Sequence, residues 1–415
     1  MNIAIARILG PSSYGIMAGV FALMGLLSSV TLAGLDTVII RETSGSPERR
    51  GIIFLDSLTI RLAVSALVIS AAVLWSLKSK DHPFALSLLI LAPLLVFQMI
   101  GSTVNNTFNA MMLTKYSSIS LAVSLVLATA ARIIGIISDQ KLMYFVVCYF
   151  AEYLIATVLI VCFFVRIHRT NPHQGLRGWR PSASRTKGYL QGAKWLLLSA
   201  VFAQLLQNMG IFVLTLKGHQ DELGNFAAAI RLLAVAQFLP AVVGQVFIPA
   251  LARLHDQESD LLPVFENQLF RSLALCGYLI TIGCLAVGPI ILPWLLGSQY
   301  HDASAIFCIL SISSLPLAIG AARSAVFGKS RNYRAILISD LAGSATSLLL
   351  SFALISHFGA KGVAAGCVGG LFIAYFLMPI LFMSRERGER SRFVSSLLHP
   401  IPKMGLLFKN LPGKP

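Results

Sequence analysis

Eleven stretches of more than twenty residues, each almost free of charge, follow one another along this chain, and no other feature limits its fold as strongly. They lie at roughly 16–40, 52–76, 84–108, 117–138, 142–165, 189–216, 224–250, 271–296, 302–323, 335–356 and 362–383. A helix needs about 20 apolar residues to cross a hydrocarbon core of ~30 Å. Inside that core every backbone N–H and C=O must be satisfied within the segment, so the spans must be helices or a closed barrel. Runs this long, without period-2 alternation, predict an all-α membrane protein, a polytopic helical bundle. Composition agrees, with 56% hydrophobic and 12% charged residues, where soluble domains carry about 25% charged.

The charge that remains is strongly one-sided. Thirty-three Lys and Arg stand against seventeen Asp and Glu, a net charge of +16. Nucleic acid is one partner that such a balance can indicate, but here the cations sit in connections between apolar spans, so no nucleic-acid partner is expected. Arg7, Lys78, Lys80, Lys141, Lys217 and Lys361 fall on one side of the predicted bundle. Arg61, Arg132 and Arg231 fall within spans, and the other twenty-four lie on or near the opposite side. Cytoplasmic loops carry the excess of Lys and Arg, so the basic stretch 166–188 and the C-terminus are placed in the cytoplasm and residue 1 on the outer side. The organisation that follows is an N-terminal bundle over 1–165, a basic linker over 166–188, a C-terminal bundle over 189–383 and a basic tail over 384–415. That tail mixes arginines with Phe393, Leu397 and Leu398, a composition suited to lying against anionic lipid.

The opening segment, Ala6-Arg7-Ile8-Leu9-Gly10-Pro11-Ser12-Ser13-Tyr14-Gly15, reads as the tip of a helical hairpin, because Gly10-Pro11 interrupts the helix before it. An apolar run follows and closes on Gly34-Leu35-Asp36 and Arg41-Glu42. Its pattern returns in the second half, where Leu223-Gly224 opens an apolar run that closes on Arg253. Repeats of this kind mark transporters made of two related bundles. The stretch "ARILGPSSYG…GLDTVIIRE" resembles the first hairpin of the polysaccharide transporter family of lipid-linked oligosaccharide flippases, the Wzx type. That family lies within the multidrug/oligosaccharidyl-lipid/polysaccharide exporter superfamily. The resemblance implies two pseudo-symmetric halves of about six helices around a central cavity. It also implies a helix ahead of Ala6, so a twelfth span is expected before the present first residue.

Charged groups deep in a span cost at least ~2.5–3.5 kcal/mol and face a cavity or a partner. Arg61 and Arg231, one from each half, are the candidates for a cationic cavity, because a guanidinium fork pairs bidentately with phosphate and stays charged. Arg7, in the outer turn, would extend that path. Gln204, Gln207 and Asn208 group on one side of their helix and either bind sugar hydroxyls or join helices. Glu152 and Arg132, at comparable depth on adjacent spans, form either an ion-coupling site or a structural pair. Asp36 and Asp56 are expected to be wet or paired, and Gln98, Asn105, Asn106 and Asn109 to bridge helices.

No residue is assigned a catalytic role, and no metal ligand set is read from the eight histidines, none of which stands in an HExxH-like spacing. The six cysteines lie in or beside apolar runs without a CxxC pair, as small buried hydrophobes do. There is no secretory signal pattern and no P-loop, so no cofactor is expected beyond an H⁺ or Na⁺ gradient.

The resemblance implies a flippase for an undecaprenyl-pyrophosphate-linked oligosaccharide in a bacterial inner membrane. Its partners would be that substrate, membrane lipids and a polysaccharide polymerase or assembly protein. The alternative in the same superfamily is a cation-coupled drug antiporter, which needs a buried carboxylate. A membrane glycan polymerase or ligase needs larger outer loops than the few residues available. Reporter fusions test the orientation: fusions at Gly175 and Pro415 are expected to report cytoplasm, and an outer-side signal at Gly175 would overturn the topology.

Overall fold

The computed structural model describes residues 1–32, 35–78, 82–170, 182–256, 262–329, 333–383 and 389–401. All regular structure among them is helical. In chain order the helices are α1 (Asn2–Leu32), α2 (Leu35–Gly45), α3 (Arg50–Lys78), α4 (His82–Leu91), α5 (Leu94–Ala110), α6 (Thr114–Ile137), α7 (Leu142–Thr170) and α8 (Ala183–Lys217). They continue as α9 (Gln220–Asp256), α10 (Leu262–Leu296), α11 (Ala303–Ser311), α12 (Ser314–Lys329), α13 (Tyr333–Phe372), α14 (Met378–Phe382) and α15 (Glu389–Leu398). Nine helical segments among the described residues are long and apolar enough to cross a membrane, or ten when α11 and α12 count as one bent span. The longest, Arg334–Phe382, is divided at Gly359, which recovers the two separate spans expected there.

Breaks in these helices follow from local chemistry. At Gly10 the backbone takes φ 72°, ψ 169°, a left-handed value that L side chains resist, and Pro11 next to it lacks an N–H. The chain reverses here. The Tyr149 hydroxyl donates to Asn2 Oδ1 at 2.6 Å, while the Phe21 ring lies 4.6 Å from the Tyr149 ring. In an unbroken helix Asn2 and Phe21 would stand about 28 Å apart at ~1.5 Å per residue. Gly359 (φ 55°, ψ −139°) divides α13 in the same way. Between α11 and α12 the axis bends by 42°, because Pro316 cannot bond to the carbonyl of Ile312 and its ring would strike it. The expected span 84–108 is interrupted at Pro93, and a π-helical turn over Ile373–Leu377 precedes Pro379.

By internal contacts the chain forms two units. One holds Met1–Leu9 and Ile16–Gln204, the other Gly10–Gly15 and Leu205–Pro415. This differs from the division at 166–188 expected from sequence. The first part of α8 stays with the first unit because Arg185 forks onto Asp56 of α3, at 2.6 and 3.2 Å, and Tyr189 packs on Leu35, Ile39 and Ile60. Residues 171–181 of the expected linker, and 384–388 and 402–415 of the expected tail, lie outside the described residues. The described part of the tail, α15, packs in the second unit, with Phe393 in the core beside Phe270 at 5.1 Å.

Within the first unit, Phe54, Phe108 and Phe164 fill the space between α3, α5 and α7. The second unit is held by a seam of small residues. The two arms of α13 and the turn that continues them run antiparallel, pairing Gly343, Ser347 and Ser351 with Ala374, Gly370 and Gly366. A Cβ added to Gly370 would lie 2.5 Å from the Gly343 carbonyl oxygen and 2.5 Å from the Ser347 Cβ. Without a hydrophobic force between helices in lipid, such close backbone approach supplies the attraction. The turn at Gly10–Gly15 is packed as tightly, since a Cβ on Gly224 would come 1.9 Å from the Pro11 carbonyl oxygen and one on Gly15 would come 2.4 Å from that of Gln220. Both belong to the second unit, so the two glycines read as equivalent in the repeat meet face to face. Substituting Gly370→Val is expected to cost about 1–3 kcal/mol through overpacking, seen as a lower melting temperature in detergent. An unchanged melting temperature would contradict the seam.

Candidate functional site

Each sequence-expected residue takes a defined place, and the two bundles differ in what they do with charge. Arg61, on α3, is fully buried. Its Nη2 donates to Asp36 Oδ1 at 2.5 Å and its Nη1 to Thr103 Oγ1 at 2.9 Å. Asp36 Oδ1 also accepts from Ser102 Oγ at 3.1 Å and from the Asn106 side-chain amide. Asp36 itself is 41% exposed. Arg61 therefore does not present an open guanidinium in this conformation. Arg61, expected from sequence to line a cationic cavity, is paired here: burial demanded a counter-charge, and Asp36 from the end of the first apolar run supplies it. Ser102, Thr103 and Asn106 are one helical face of α5; of the three, sequence had singled out Asn106 alone, as a bridge between helices.

Glu152 and Arg132 come together as a pair between α6 and α7, bonded through Arg132 Nη2. The guanidinium also stacks 3.8 Å from the Tyr149 ring, whose hydroxyl reaches Asn2. Gln98, on α5, accepts from Ser28 at 2.6 Å and joins α1 to α5.

The second unit holds a pair that sequence reasoning missed. Arg323, assigned from sequence to the connection after residue 323, lies inside α12 with 2% exposure. Its Nη2 is 3.0 Å from Asp340 Oδ1, and its guanidinium stands 4.7 Å from the Tyr375 ring. Asp340 was overlooked as a deep acid, although its position five residues inside the run 335–356 was a signal. The π-helical turn brings Tyr375 to this pair. Outside the spans, the Lys361 ammonium binds Asp302 at 2.8 Å and lowers its carboxyl below the ordinary range.

Arg231 behaves differently from these three arginines. It lies in the apolar segment Gln220–Gly244, yet its side chain is exposed and forms no ion pair among the described residues. The α8/α9 hairpin fixes its height. Phe226 packs where a Gly210 side chain would be, so in this antiparallel pair Arg231 stands level with about Leu205. Gln207 is exposed and Asn208 half-buried, and at ~1.5 Å per residue both amides lie within one helical turn of that level. On the same face of α9, Val235, Phe238 and Leu239 are also exposed, spaced as a helix repeats. Arg7, in the short first arm of α1, is exposed, and Gln204 lies against Gly25 of α1 in the first unit. No group of three potential metal ligands occurs among the described residues.

Comparison with known proteins bears on this arrangement. A family model described as polysaccharide biosynthesis protein matches residues 4–305. No curated protein matches the sequence. Among solved structures the chain is similar to the lipid II flippase MurJ in an inward closed conformation, with TM-score 0.73 and 14% identity over 100% of this chain and 90% of that one. It is also similar to an inward-facing multidrug resistance MATE family transporter of the MOP superfamily, with TM-score 0.68 and 14% identity over 99% and 94%. A third is a MOP superfamily transporter from Pyrococcus furiosus, with TM-score 0.62 and 13% identity over 95% and 91%. At these identities the likeness speaks for fold. The protein is thus a multi-pass membrane protein with the fold of MOP superfamily transporters, and by its sequence it belongs to the polysaccharide biosynthesis protein family.

Proposed function

We propose that this protein is a flippase that carries an undecaprenyl-pyrophosphate-linked oligosaccharide, a polysaccharide or O-antigen repeat unit, across a bacterial inner membrane by alternating access. The observation that carries the reading is Arg231, an exposed guanidinium within an apolar span. Left against lipid, such a group costs several kcal/mol, so its place on α9 calls for water or an anion. A diphosphate is matched by its fork, sugar hydroxyls are matched by amides such as those of Gln207 and Asn208, and a polyprenyl chain is matched by apolar surface such as Val235 and Phe238. Family membership and the lipid substrate named for MurJ support the same class of cargo. Arg61 contributes to the charge balance of the first bundle through Asp36 rather than as a free ligand.

The MATE-like alternative, a cation-coupled antiporter, needs a carboxylate available to a cation. Among the described residues Asp36, Asp56, Glu152 and Asp340 each already face an arginine. A cation would have to compete with a guanidinium at every one of them, which favours the flippase.

The substitutions separate these roles. Arg231→Ala is expected to reach the membrane at the normal level and to lower surface glycan about tenfold or more in a complementation assay, the loss expected when one charged group bound to phosphate is worth ~1.5–3 kcal/mol. Arg231→Lys, which keeps the charge and loses the fork, is expected to fall between. Wild-type export by Arg231→Ala would remove the assignment.

For the first bundle, Arg61→Ala leaves Asp36 with only its hydrogen bonds from Ser102 and Asn106, at a cost of about 1–3 kcal/mol because Asp36 is partly exposed. It is expected to accumulate poorly, while Arg61→Met combined with Asp36→Leu restores the protein level. Normal accumulation of Arg61→Ala with no export would instead make Arg61 a substrate ligand.

A further inference from the structure

The helix α15 has more apolar surface than the protein covers. Phe393 is buried, Leu397 packs on the core of the second unit, and the Tyr278 hydroxyl donates to the Leu397 carbonyl at 3.3 Å. Arg271 Nη2 reaches Ser395 Oγ at 3.4 Å. Arg390 closes the end of α14, its Nε donating to the Met383 carbonyl at 3.0 Å. The helix is thus fastened along α10 and to the end of α14. Beside this docked face a second apolar stripe stays open: Val394, Leu398 and Ile401, the last two 71% and 76% exposed. Val394 and Leu398 stand at i and i+4 on one helical face, and Ile401 follows after the helix ends at Leu398 and past Pro400. Arg392 and His399 lie on a polar arc beside the stripe.

Two observations say what covers the stripe. First, α10 runs along the outside of its unit: only 17% of its most apolar window is buried, and Leu279 and Ile282 are more than 60% exposed. Since Tyr278 touches Leu397, the open stripe of α15 is continuous with this lipid-facing surface of α10. Second, from Ser384 onward the sequence carries seven Lys and Arg against two Glu, a charge matched to anionic headgroups. A helix with an apolar face, a polar face and surrounding basic charge lies in the plane of the membrane interface.

We propose that α15 is an interfacial anchor that seats the second bundle on the anionic lipid of one leaflet, with Val394 and Leu398 in the acyl region and Arg392 and His399 toward water. The inference is independent of what the protein carries.

Adjacent residues on a helix differ in direction by about 100°, and the His399 N–H still bonds to the Ser395 carbonyl at 2.9 Å, so Leu398 and His399 share a depth at the end of α15 and are expected to face different media. Full-length protein with its six cysteines replaced by alanine would carry Leu398→Cys or His399→Cys, each spin-labelled and reconstituted in vesicles with phosphatidylglycerol. Collision with dissolved oxygen is compared with collision with a water-soluble nickel chelate. At position 398 oxygen is expected to exceed nickel several-fold, with the reverse at 399. In phosphatidylcholine vesicles the label at 398 is expected to become more accessible to nickel.

Equal nickel access at 398 and 399 in the anionic vesicles would overturn the anchor. So would shielding of 398 from both reagents, which would mean a protein contact. Identical behaviour at 398 in both lipids would overturn the requirement for anionic lipid. Val394→Cys, on the same stripe, gives the same reading if the Leu398 variant does not accumulate.

Discussion

Charge buried in a medium of low polarity must be met by opposite charge nearby, and the interior of this protein is arranged around that requirement. Among the described residues, four arginine–carboxylate pairs tie helices together: Arg61 with Asp36, Arg185 with Asp56, Arg132 with Glu152 and Arg323 with Asp340. Each joins residues that are distant in sequence or lie on separate helices. Desolvating two ions is costly, and their attraction repays it only with good geometry and further hydrogen bonds. The pairs therefore come with supporting partners: Ser102, Thr103 and Asn106 around the first, a forked contact in the second, and Tyr149 and Tyr375 rings over the guanidinium groups of the last two. Against this background Arg231 stands out, because its cation lies on an exposed face instead.

Neutrality leaves association of the helices to close contact. In lipid the hydrophobic effect does not draw one apolar helix to another, and backbone approach through small residues replaces it. The seam from Gly343 to Ser351 against Gly366 to Ala374 and the meeting of Gly15 with Gly224 both follow that logic. Where the seam widens into the π-helical turn before Pro379, the turn positions Tyr375 over Arg323, so a proline constraint and a charge pair are satisfied by one distortion.

Much of the arrangement was legible as sequence. The span pattern, including the division at Gly359 and the reversal at Gly10-Pro11, follows from run length and from glycine and proline. The pairing of Arg132 with Glu152 follows from two charges at comparable depth on successive spans. Harder to read were pairs whose partners lie far apart along the chain. Asp36 sits at the end of one run, and nothing local says that it meets Arg61. Arg323 looked like a loop cation because helix ends are poorly marked beside polar residues, and α12 in fact continues to Lys329. The reach of α8 into the first unit was likewise hidden, since Arg185 reads as one cation of a basic stretch until Asp56 is seen opposite it.

What the sequence determined alone is the class of molecule: long uncharged runs can be nothing but membrane helices, glycine–proline steps must interrupt them, and family membership is written in the residues themselves. Tertiary structure decided which charges are spent on one another and which remain outward. That depends on how helices rotate about their axes when they pack, a quantity set by small-residue contacts across the bundle. A deep arginine reads the same in either case until its neighbours are in place: Arg61 turned inward to Asp36, Arg231 outward on α9.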